Sequence, residues 1–486
     1  MRNRPYVRTL IAAALAVAVA GCALNAPPDR SELQAQSLTN TAVPAAWKAA
    51  ADSSSSVADR WLETFNDPAL SALVSEAQVY NADLQVAAAR VEQAAGYLKV
   101  ASSSLLPSVG VAGIAGGKSG GDGGGLEGIF LNASLELDIW GRVRYGEAAA
   151  DAQAAASAAD YAYARQSLAA MVAKSWFIAI EAGLQQAIAR EMLRAAEALL
   201  GLAQERMRIG NGSEQAVVET RAGVANYRDA LRQIDLSREQ ALRALESLLG
   251  RYPAAEIKIA QRLSPMPPPV PVGMPSQLLE RRPDVIAAER RVAAAFNRVG
   301  EARAAQLPRI RLTAGGSDVS SDLFVLKDQS NPVWSFGANL LAPLYRGGEL
   351  RAQVEIRSAE QKQAVAQYAR TGQRAFGEVE NALAAEKALR ERDALLDAAV
   401  RDNERAVELA QIQYRVGTIN LSAVEQRQLA LYAARTSRLR VQSEQLAQRV
   451  NLHLALGGDF GDPAASPIAV NMVNTPVSRT NGERQP

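Results

Sequence analysis

Each half of the chain carries a pair of short segments that suit β-strands. In the first half, apolar and polar side chains alternate strictly from Leu131 to Ile139, after a small-residue-rich segment from Ser108 to Gly116. In the second half, residues Ile310 to Ala314 and Trp334 to Leu340 alternate in the same way. A period of two predicts strands with one face in an apolar medium and the other in water. The sequence therefore predicts four amphipathic strands.

A long helix with seven-residue apolar spacing follows each strand pair. The 68 residues from Arg142 to Ile209 contain no proline and would form a helix of roughly 100 Å. Gly210 and Gly417 then suit left-handed helix ends, and Ser213 and Asn420 can cap a returning helix. Seven-residue spacing predicts packing against neighbouring helices, and it recurs in Leu193, Leu200, Met207 and in Val400, Val407, Tyr414.

The chain contains this plan twice. Residues Leu202–Glu219 are echoed by Leu409–Gln426, 207 positions later, and Asp83–Pro107 are echoed by Asp284–Pro308, 201 positions later. Each half of about two hundred residues is therefore predicted to contain a strand pair, a long helix, a glycine turn and a shorter returning helix. The whole helical hairpin is predicted to be a rod rather than a globule.

Four strands cannot close a membrane barrel, because the smallest such barrels have eight. Open strand edges in lipid would leave backbone groups unsatisfied at several kcal/mol each. The mature chain has no uninterrupted apolar segment of about 18 residues, so strands rather than helices are expected to cross the membrane. Oligomerisation is therefore required. A dimer would supply eight strands and a trimer twelve, and strand number alone leaves both open.

The N-terminus has the features of a bacterial lipoprotein leader. Three arginines in the first eight residues precede an apolar run from Leu10 to Ala20, which is too short to span a bilayer. The run ends in Val19-Ala20-Gly21-Cys22, and Cys22 is the only cysteine of the chain. We expect lipidation at Cys22. With Ala23 rather than Asp after it, the lipoprotein is expected in the outer membrane.

Charge and motifs argue against nucleic-acid binding and against catalysis. Removal of the leader takes away three arginines and no acidic residue, so the formal charge of +2 becomes −1. A nucleic-acid-binding protein usually carries a clear excess of positive charge, which the mature chain lacks. The single histidine, His453, lies on an apolar helix row where packing is the ordinary role. We find no metal-ligand spacing, nucleophile elbow or phosphate-binding loop. The chain is predicted not to be an enzyme and to need no cofactor beyond the lipid on Cys22.

The patterns divide the chain into six segments. The folded part is expected to begin near Trp61, and each repeat has its strand pair before its hairpin tip. The predicted segments are a signal peptide (1–21), a lipidated and extended N-terminal tether (22–57), a first repeat (58–250, strand pair about 107–140, tip near Gly210), a proline-rich linker (251–275), a second repeat (276–457, strand pair about 308–345, tip near Gly417) and a C-terminal tail (458–486).

Several segments resemble the TolC-type outer-membrane efflux factors, in the NodT/OprM-like lipoprotein branch. The most specific match is SQLLERRPDVIAAERRVAAAFNRVGEARAAQLPRIRLTA, Ser276 to Ala314. The resemblance covers essentially the whole mature chain, with further matches at Trp61–Pro68, Asn81–Arg90, LDIWGRVR (137–144) and PLYRGGELRAQV (343–354).

The resemblance implies a mainly α fold with membrane β-structure. Duplicated long hairpins would form an α-barrel tunnel, and four strands per chain would contribute to a trimeric twelve-stranded β-barrel. The implied function is the outer-membrane channel of a tripartite efflux system for drugs, toxic compounds or metabolites. Its implied partners are two further copies, a periplasmic adaptor, an inner-membrane pump of the resistance-nodulation-division type and outer-membrane lipid. The alternative is the outer-membrane duct of a type I protein-secretion system.

The resemblance also implies a periplasmic entrance, with Gly210 and Gly417 at the hairpin tips. Relatives carry acidic residues six and nine positions after the second glycine, where this chain has Ala423 and Gln426. Tyr414 matches a tyrosine that locks neighbouring hairpins, although its usual partners are replaced by Ala216 and Ile419. The candidate entrance or gate residues are therefore Glu219, Tyr414, Ala423, Glu425 and Gln426.

Overall fold

The computed structural model describes residues 24–49, 59–117, 124–321 and 333–458. Cys22, the leader and most of the predicted tail lie outside these residues. The helices of the described part are α1 (Arg30–Ser37), α2 (Pro68–Tyr80), α3 (Ala82–Ser103), α4 (Arg142–Arg208), α5 (Glu214–Leu248), α6 (Pro275–Arg281), α7 (Pro283–Ala304), α8 (Glu349–Arg415) and α9 (Leu421–Ala455). The strands are β1 (Ser108–Gly117), β2 (Gly124–Leu137), β3 (Arg309–Ser321) and β4 (Val333–Leu341).

The two halves repeat the same architecture with the same dimensions. Helices α4 and α8 each have 67 residues, about 100 Å, and the returning helices α5 and α9 each have 35. Along its length α4 packs against α3 and α5, so two shorter helices together accompany one continuous helix. It also packs against α7 and α9 of the second repeat. The described helices therefore form one elongated bundle.

The four strands form one antiparallel sheet in the order β1-β2-β3-β4, with β1 and β4 at its edges. The register aligns apolar residues across all four strands on one face. One such row pairs Val111 with Leu131, Leu131 with Gly316, and Gly316 with Trp334. Phe336 lies on the same face and is 86% exposed. A sheet with an exposed apolar face is what a membrane strand requires.

Helix α4 contains the only window among the described helices that is long and apolar enough to cross a membrane by composition. Half of that window is buried within the chain. Around Trp176 and Phe177, α4 packs into the largest core, which also contains Trp61 and Phe65 of a short 3-10 helix. The buried half of this window is thus accounted for by helix packing.

The N-terminal segment was predicted to be an extended tether, and this is wrong for residues 30–49. It contains α1, and it packs against the second repeat through Leu33 and Trp47, of which Trp47 is 4% exposed. The indole N–H of Trp47 donates to the Val272 carbonyl oxygen at 3.2 Å. The Glu380 carboxylate accepts the backbone N–H groups of residues 48 and 49 at 2.8 and 2.9 Å. Leu33 and Trp47 are isolated apolar residues in a polar segment, so they form no periodic pattern in the sequence. Both are nevertheless buried in the core of the second repeat.

The proline-rich linker is fixed to the bundle by two buried charged side chains. The Glu246 carboxylate accepts the backbone N–H groups of Ala255 and Glu256 at 2.6 and 2.7 Å. Arg449 donates to the carbonyl oxygens of Pro267, at 2.9 Å, and Pro268. A proline-rich segment has few N–H groups that could pair with its carbonyl oxygens, so these oxygens need donors from elsewhere.

The RRPD motif at the start of α7 forms a buried charge network. Arg282 is 1% exposed and donates to Asp284 at 2.9 and 3.0 Å and to the Ala455 carbonyl oxygen at 3.0 Å. It also pairs with Glu378 at 2.7 Å. Burial alone would lower the pKa of Arg282, but hydrogen bonds and charge from Asp284 and Glu378 raise it. The motif therefore joins α7, α8 and the end of α9.

Candidate functional site

Both hairpin tips have the same backbone geometry. Gly210 and Gly417 have φ of +80° and +83°, a left-handed conformation that favours glycine. The Ser213 hydroxyl accepts the N–H of Ala216 at 3.2 Å and starts α5, and the Asn420 side chain caps α9 in the same way. Two tight, capped turns thus end the rod at the same level of each repeat. Their position at a periplasmic entrance stays a prediction.

The two tips pack against each other through a small apolar cluster. Since Leu199 and Val217 come from the first hairpin and Tyr414 and Val424 from the second, the cluster joins the repeats. We call this set the tip cluster; its buried members are Leu199, Ala203, Val217, Ala410, Tyr414, Leu421 and Val424. Ile419 and Leu200 pack against it.

Arg206 binds Tyr414 across the two hairpins. Its guanidinium carbon lies 4.1 Å from the centre of the Tyr414 ring, a cation–π contact. Its Nη2 also donates to the Tyr414 carbonyl oxygen at 3.3 Å. Tyr414 itself is 7% exposed. Sequence reasoning found Tyr414 but missed Arg206, because a contact between residues 208 positions apart leaves no local pattern.

The candidate acidic residues lie in different surroundings. Glu219 is exposed on α5 and accepts a hydrogen bond from Gln215 at 2.7 Å. Glu425 is half-buried on α9. The pKa of Tyr227 of α5 is raised mainly by burial and additionally by the negative charge of Glu425. Glu219 is therefore the carboxylate that water reaches freely, whereas Glu425 lies against the first repeat.

The two positions that are acidic in relatives differ in their exposure to solvent. Ala423 is half-buried in the first turn of α9, where its N–H donates to Asn420 at 3.0 Å. Gln426 is exposed. An acidic side chain would therefore reach solvent more readily at position 426.

The junction between sheet and helices is built by the LDIWGRVR turn. Asp138 accepts the backbone N–H groups of Val143 and Arg144 at 2.8 and 3.0 Å and so caps the start of α4. The indole N–H of Trp140 donates to the Pro308 carbonyl oxygen at 2.8 Å and fixes this turn to the start of β3. Strand direction and helix direction are thereby fixed to each other.

The first described residues lie at this same junction. The backbone N–H of Asn25 donates to the Tyr145 hydroxyl at 3.0 Å. A Cβ at Gly141 would come within 2.6 Å of Leu24 Cδ2, so the glycine leaves room for Leu24. The chain therefore enters the structure beside the foot of the sheet.

His453 is a core residue. It is 3% exposed and stacks on Trp61 with ring centres 5.5 Å apart. Neither ring nitrogen has a hydrogen-bond partner, and burial, then the charge of Arg449, lowers the pKa of His453 to about 3. A neutral, enclosed imidazole suits packing rather than proton transfer near neutral pH. Among the described residues, no three histidine, cysteine or acidic side chains cluster as metal ligands would.

Comparison with known proteins gives consistent matches. Residues 73–251 and 274–458 match the family model described as Outer membrane efflux protein. The pyoverdine export outer membrane protein OpmQ of Pseudomonas aeruginosa is 31% identical over 440 residues, covering 86% of this chain and 92% of OpmQ. Cation efflux system protein CusC of Escherichia coli K12 is 30% identical over 412 residues, covering 82% and 88%.

Solved structures agree with the fold. The outer-membrane channel OprN superimposes with a TM-score of 0.79 at 26% identity, covering 90% of this chain and 99% of OprN. A CusC structure gives a TM-score of 0.75 at 26% identity, covering 89% and 99%. The predicted fold class is confirmed: duplicated long hairpins, with four strands per chain that contribute to a trimeric twelve-stranded barrel. The chain is a protein of the bacterial outer membrane and belongs to the outer membrane efflux protein family.

Proposed function

We propose that this protein is the outer-membrane channel of a tripartite efflux system that exports small molecules from the periplasm to the exterior. An inner-membrane pump, of the resistance-nodulation-division type, and a periplasmic adaptor complete the system. The observation that carries the proposal is the joining of two tandem 100 Å hairpins to an open four-stranded sheet with one apolar face. The sheet suits a membrane barrel and the hairpins suit a tunnel below it.

Closure of the barrel supports three copies per channel. Edge strands β1 and β4 each present unpaired backbone groups, which cost several kcal/mol each in lipid. Pairing of β4 with β1 of a neighbouring copy removes both edges. Three copies give twelve strands and leave room for water inside, whereas two copies give eight strands and a barrel that side chains fill.

The position of Leu24 supports a lipid anchor on Cys22. Leu24 lies beside Gly141 at the foot of the sheet, and Cys22 is two positions before it in the sequence, a reach of about 7 Å at most. A lipid on Cys22 would thus reach the membrane surface next to the barrel. This placement agrees with the lipobox and with the absence of another cysteine in the sequence.

The hairpin tips are proposed to form the periplasmic entrance. In a closed state, the Arg206–Tyr414 contact would hold the two hairpins of each copy together, and Gln426 and Glu219 are exposed where they could face the passage. Movement of one hairpin past the other would break that contact. Because the tip cluster is small, few residues contribute to the free energy that is needed to separate the two hairpins.

The cargo is proposed to be small molecules or ions rather than proteins. OpmQ is named for pyoverdine export, CusC for cation efflux, and TtgF of Pseudomonas putida for toluene efflux. Relatives of similar identity thus carry unlike cargo, which agrees with selection mainly in the pump. The alternative, a type I protein-secretion duct, shares the architecture but not these relatives' stated roles.

A deletion strain tests the proposal. Loss of the protein should increase susceptibility to small toxic compounds and accumulation of a fluorescent efflux substrate, while the profile of secreted proteins stays unchanged. Expression of the intact protein should restore efflux, whereas a variant that lacks the tip residues 199–217 should be inserted in the membrane without restoring it. Normal susceptibility together with a lost secreted protein would favour the type I duct and contradict efflux.

A further inference from the structure

The polar face of the sheet carries an unbalanced positive charge at the end that joins the helices. On this face, among the strand side chains that the structure describes, the charged residues are Glu136 of β2 and Arg309 and Arg311 of β3. The remainder of the face carries no charge among the described side chains; its middle is small or polar, as in the row of Asn132 and Gly315, and Phe130 and Leu341 are among its large apolar members. Among the described strand side chains, this face therefore carries two positive residues and one negative residue in each chain.

The negative charge of Glu136 is already matched within the same turn. Arg142 donates to both carboxylate oxygens of Glu136, from Nε at 2.8 Å and from Nη2 at 2.9 Å. This hydrogen bond, with further charge from Glu136, Glu301 and Asp138, raises the pKa of Arg142. Asp138 in turn pairs with Arg144 at 3.0 Å. The acidic groups near the foot of the sheet are therefore engaged by helix α4.

In the ranges of the chain that the structure describes, neither Arg309 nor Arg311 forms an ion pair, although Arg311 lies opposite Glu136 of β2 in the register. Their partners in register on β4 are Leu341 and Asn339, which carry no charge. Arg311 is exposed and Arg309 is half-buried. Two residues apart on one strand, their Cα atoms are about 7 Å apart and their side chains share a face. The two arginines therefore place positive charge on the face of the sheet that lies opposite the apolar face.

We propose that Arg309 and Arg311 form a ring of guanidinium groups at the passage between barrel and tunnel, and that, among the molecules the pump delivers, this ring favours the passage of anions bearing carboxylate, sulfonate or phosphate groups. This inference rests on the proposed trimeric channel, in which the polar face lines the interior. Three copies place six guanidinium groups within about 7 Å of one another along the strand direction. The planar fork of arginine matches carboxylate and phosphate geometry, and rings of basic side chains give pores a preference for anions.

A ring at this level acts on every permeating ion. Surface charges are screened beyond about 8 Å at physiological salt, but a passage walled by protein and lipid focuses the field of its own charges. The polar face offers no second described acidic residue to offset the ring. At the junction between barrel and tunnel, the preference for anions or cations is therefore set by the balance between Glu136 and the two arginines.

The test is the reversal potential of purified full-length protein in planar bilayers under a KCl gradient. The chloride-to-potassium permeability ratio should fall by about twofold or more in Arg309→Gln/Arg311→Gln. It should rise in Glu136→Gln, which frees Arg142. Arg251→Gln, which removes an arginine paired with Glu76 beside the inter-repeat linker, should leave it unchanged. An aromatic disulfonate added to the barrel side should block the wild type at about tenfold lower concentration than the double variant.

The outcomes separate this inference from the function on which it rests. A conducting trimer whose permeability ratio and disulfonate block are the same in the wild type and the double variant overturns the anion ring and leaves the channel intact. A protein that neither assembles as a trimer nor conducts overturns the proposed function itself. Equal shifts in Arg251→Gln would show that any lost arginine has this effect, and would also overturn the ring.

Discussion

The guanidinium of Arg206 lies over the ring of Tyr414, 4.1 Å from its centre, although the two residues belong to different hairpins. Around them the tip cluster has few members, and the ends of both hairpins are exposed beyond it. One cation–π contact contributes about 0.5–2 kcal/mol, depending on burial. In so small a cluster this contact is a large share of what holds the tips together.

Replacement of Arg206 by glutamine should therefore loosen the tips. Loss of about 1–2 kcal/mol shifts an open-to-closed equilibrium by about five- to thirtyfold per chain. We expect higher mean conductance in planar bilayers for Arg206→Gln and for Tyr414→Ala. Tyr414→Phe keeps the ring and the backbone carbonyl, and should resemble the wild type.

Arg208→Gln is the matched control for the loosened tips. Arg208 is two residues away, and its partner within the described part of the chain is Glu205 of its own helix, at 2.7 Å. Its loss removes the same charge without breaking a contact between hairpins. Equal conductance increases in Arg206→Gln and Arg208→Gln would mean that charge, not the cross-hairpin contact, controls the tip.

Gln426→Asp should make the entrance sensitive to divalent cations. Carboxylates around a narrow pore concentrate cations, and Gln426 is exposed in the first turns of α9. We expect increased cation preference and block by a divalent cation, and we expect Glu219→Gln to change the preference in the opposite direction. Gln353→Asp adds the same charge at the far end of α8 and should produce no block. An unblocked Gln426→Asp channel would show that position 426 does not line the constriction.

Arg282 should be essential for stability. Its removal leaves the buried Asp284 carboxylate with only Arg374, at 3.0 Å, as a charged partner. Breaking such a buried pair costs about 3–5 kcal/mol. Arg282→Met should lower the thermal midpoint strongly, while Arg281→Gln, which loses only a pair with the exposed Asp59, should cost about 0–1 kcal/mol. Similar midpoints for the two variants would contradict the network.

The neutral His453 predicts a loss of stability in acid. In the folded state the pKa of His453 is about 3, against an ordinary value of 6.5, so between these values the unfolded chain binds the proton and the folded chain does not. This contribution to the free energy of unfolding is full above pH 6.5 and falls as pH drops toward 3. At pH 4.5 the loss is about 3 kcal/mol.

His453→Phe keeps a ring against Trp61 and removes this titration. Urea unfolding at pH 7 and pH 4.5 should show a smaller acid loss in His453→Phe than in the wild type. Carboxylates titrate in the same range in both proteins, so the difference between the two proteins is the informative quantity. An identical pH dependence would mean that the imidazole is protonated without cost in the fold.

Periodic features were predictable from the sequence. Strict alternation predicted the strands, and the glycine turns predicted where α4 and α8 end. In the first repeat the helix was predicted to end at Ile209, and α4 ends one residue earlier, at Arg208. Each of these features repeats over many positions and depends on backbone geometry that is local. The duplication then fixed the order of elements in the second half.

Single long-range contacts were not predictable. Trp47 reaches the Val272 carbonyl across 225 positions, and Arg206 reaches Tyr414 across 208. Such contacts depend on the final packing of helices and leave no spacing in the sequence. The same reason explains why the segment around Trp47 was expected to be an extended tether. The orientation of Glu219 and Gln426 relative to a passage depends on neighbouring copies and stays a prediction.

Three copies of the chain are expected to close one barrel by pairing β4 of one chain with β1 of the next. Native mass spectrometry in detergent tests this closure most directly, combined with cysteine pairs scanned along β1 and β4. We predict the mass of three lipidated chains, and disulfide-linked dimers and trimers for cysteines that face each other across the edges. A stable monomer with full strand content, or cross-links that stop at dimers, would show that the barrel does not close in this way.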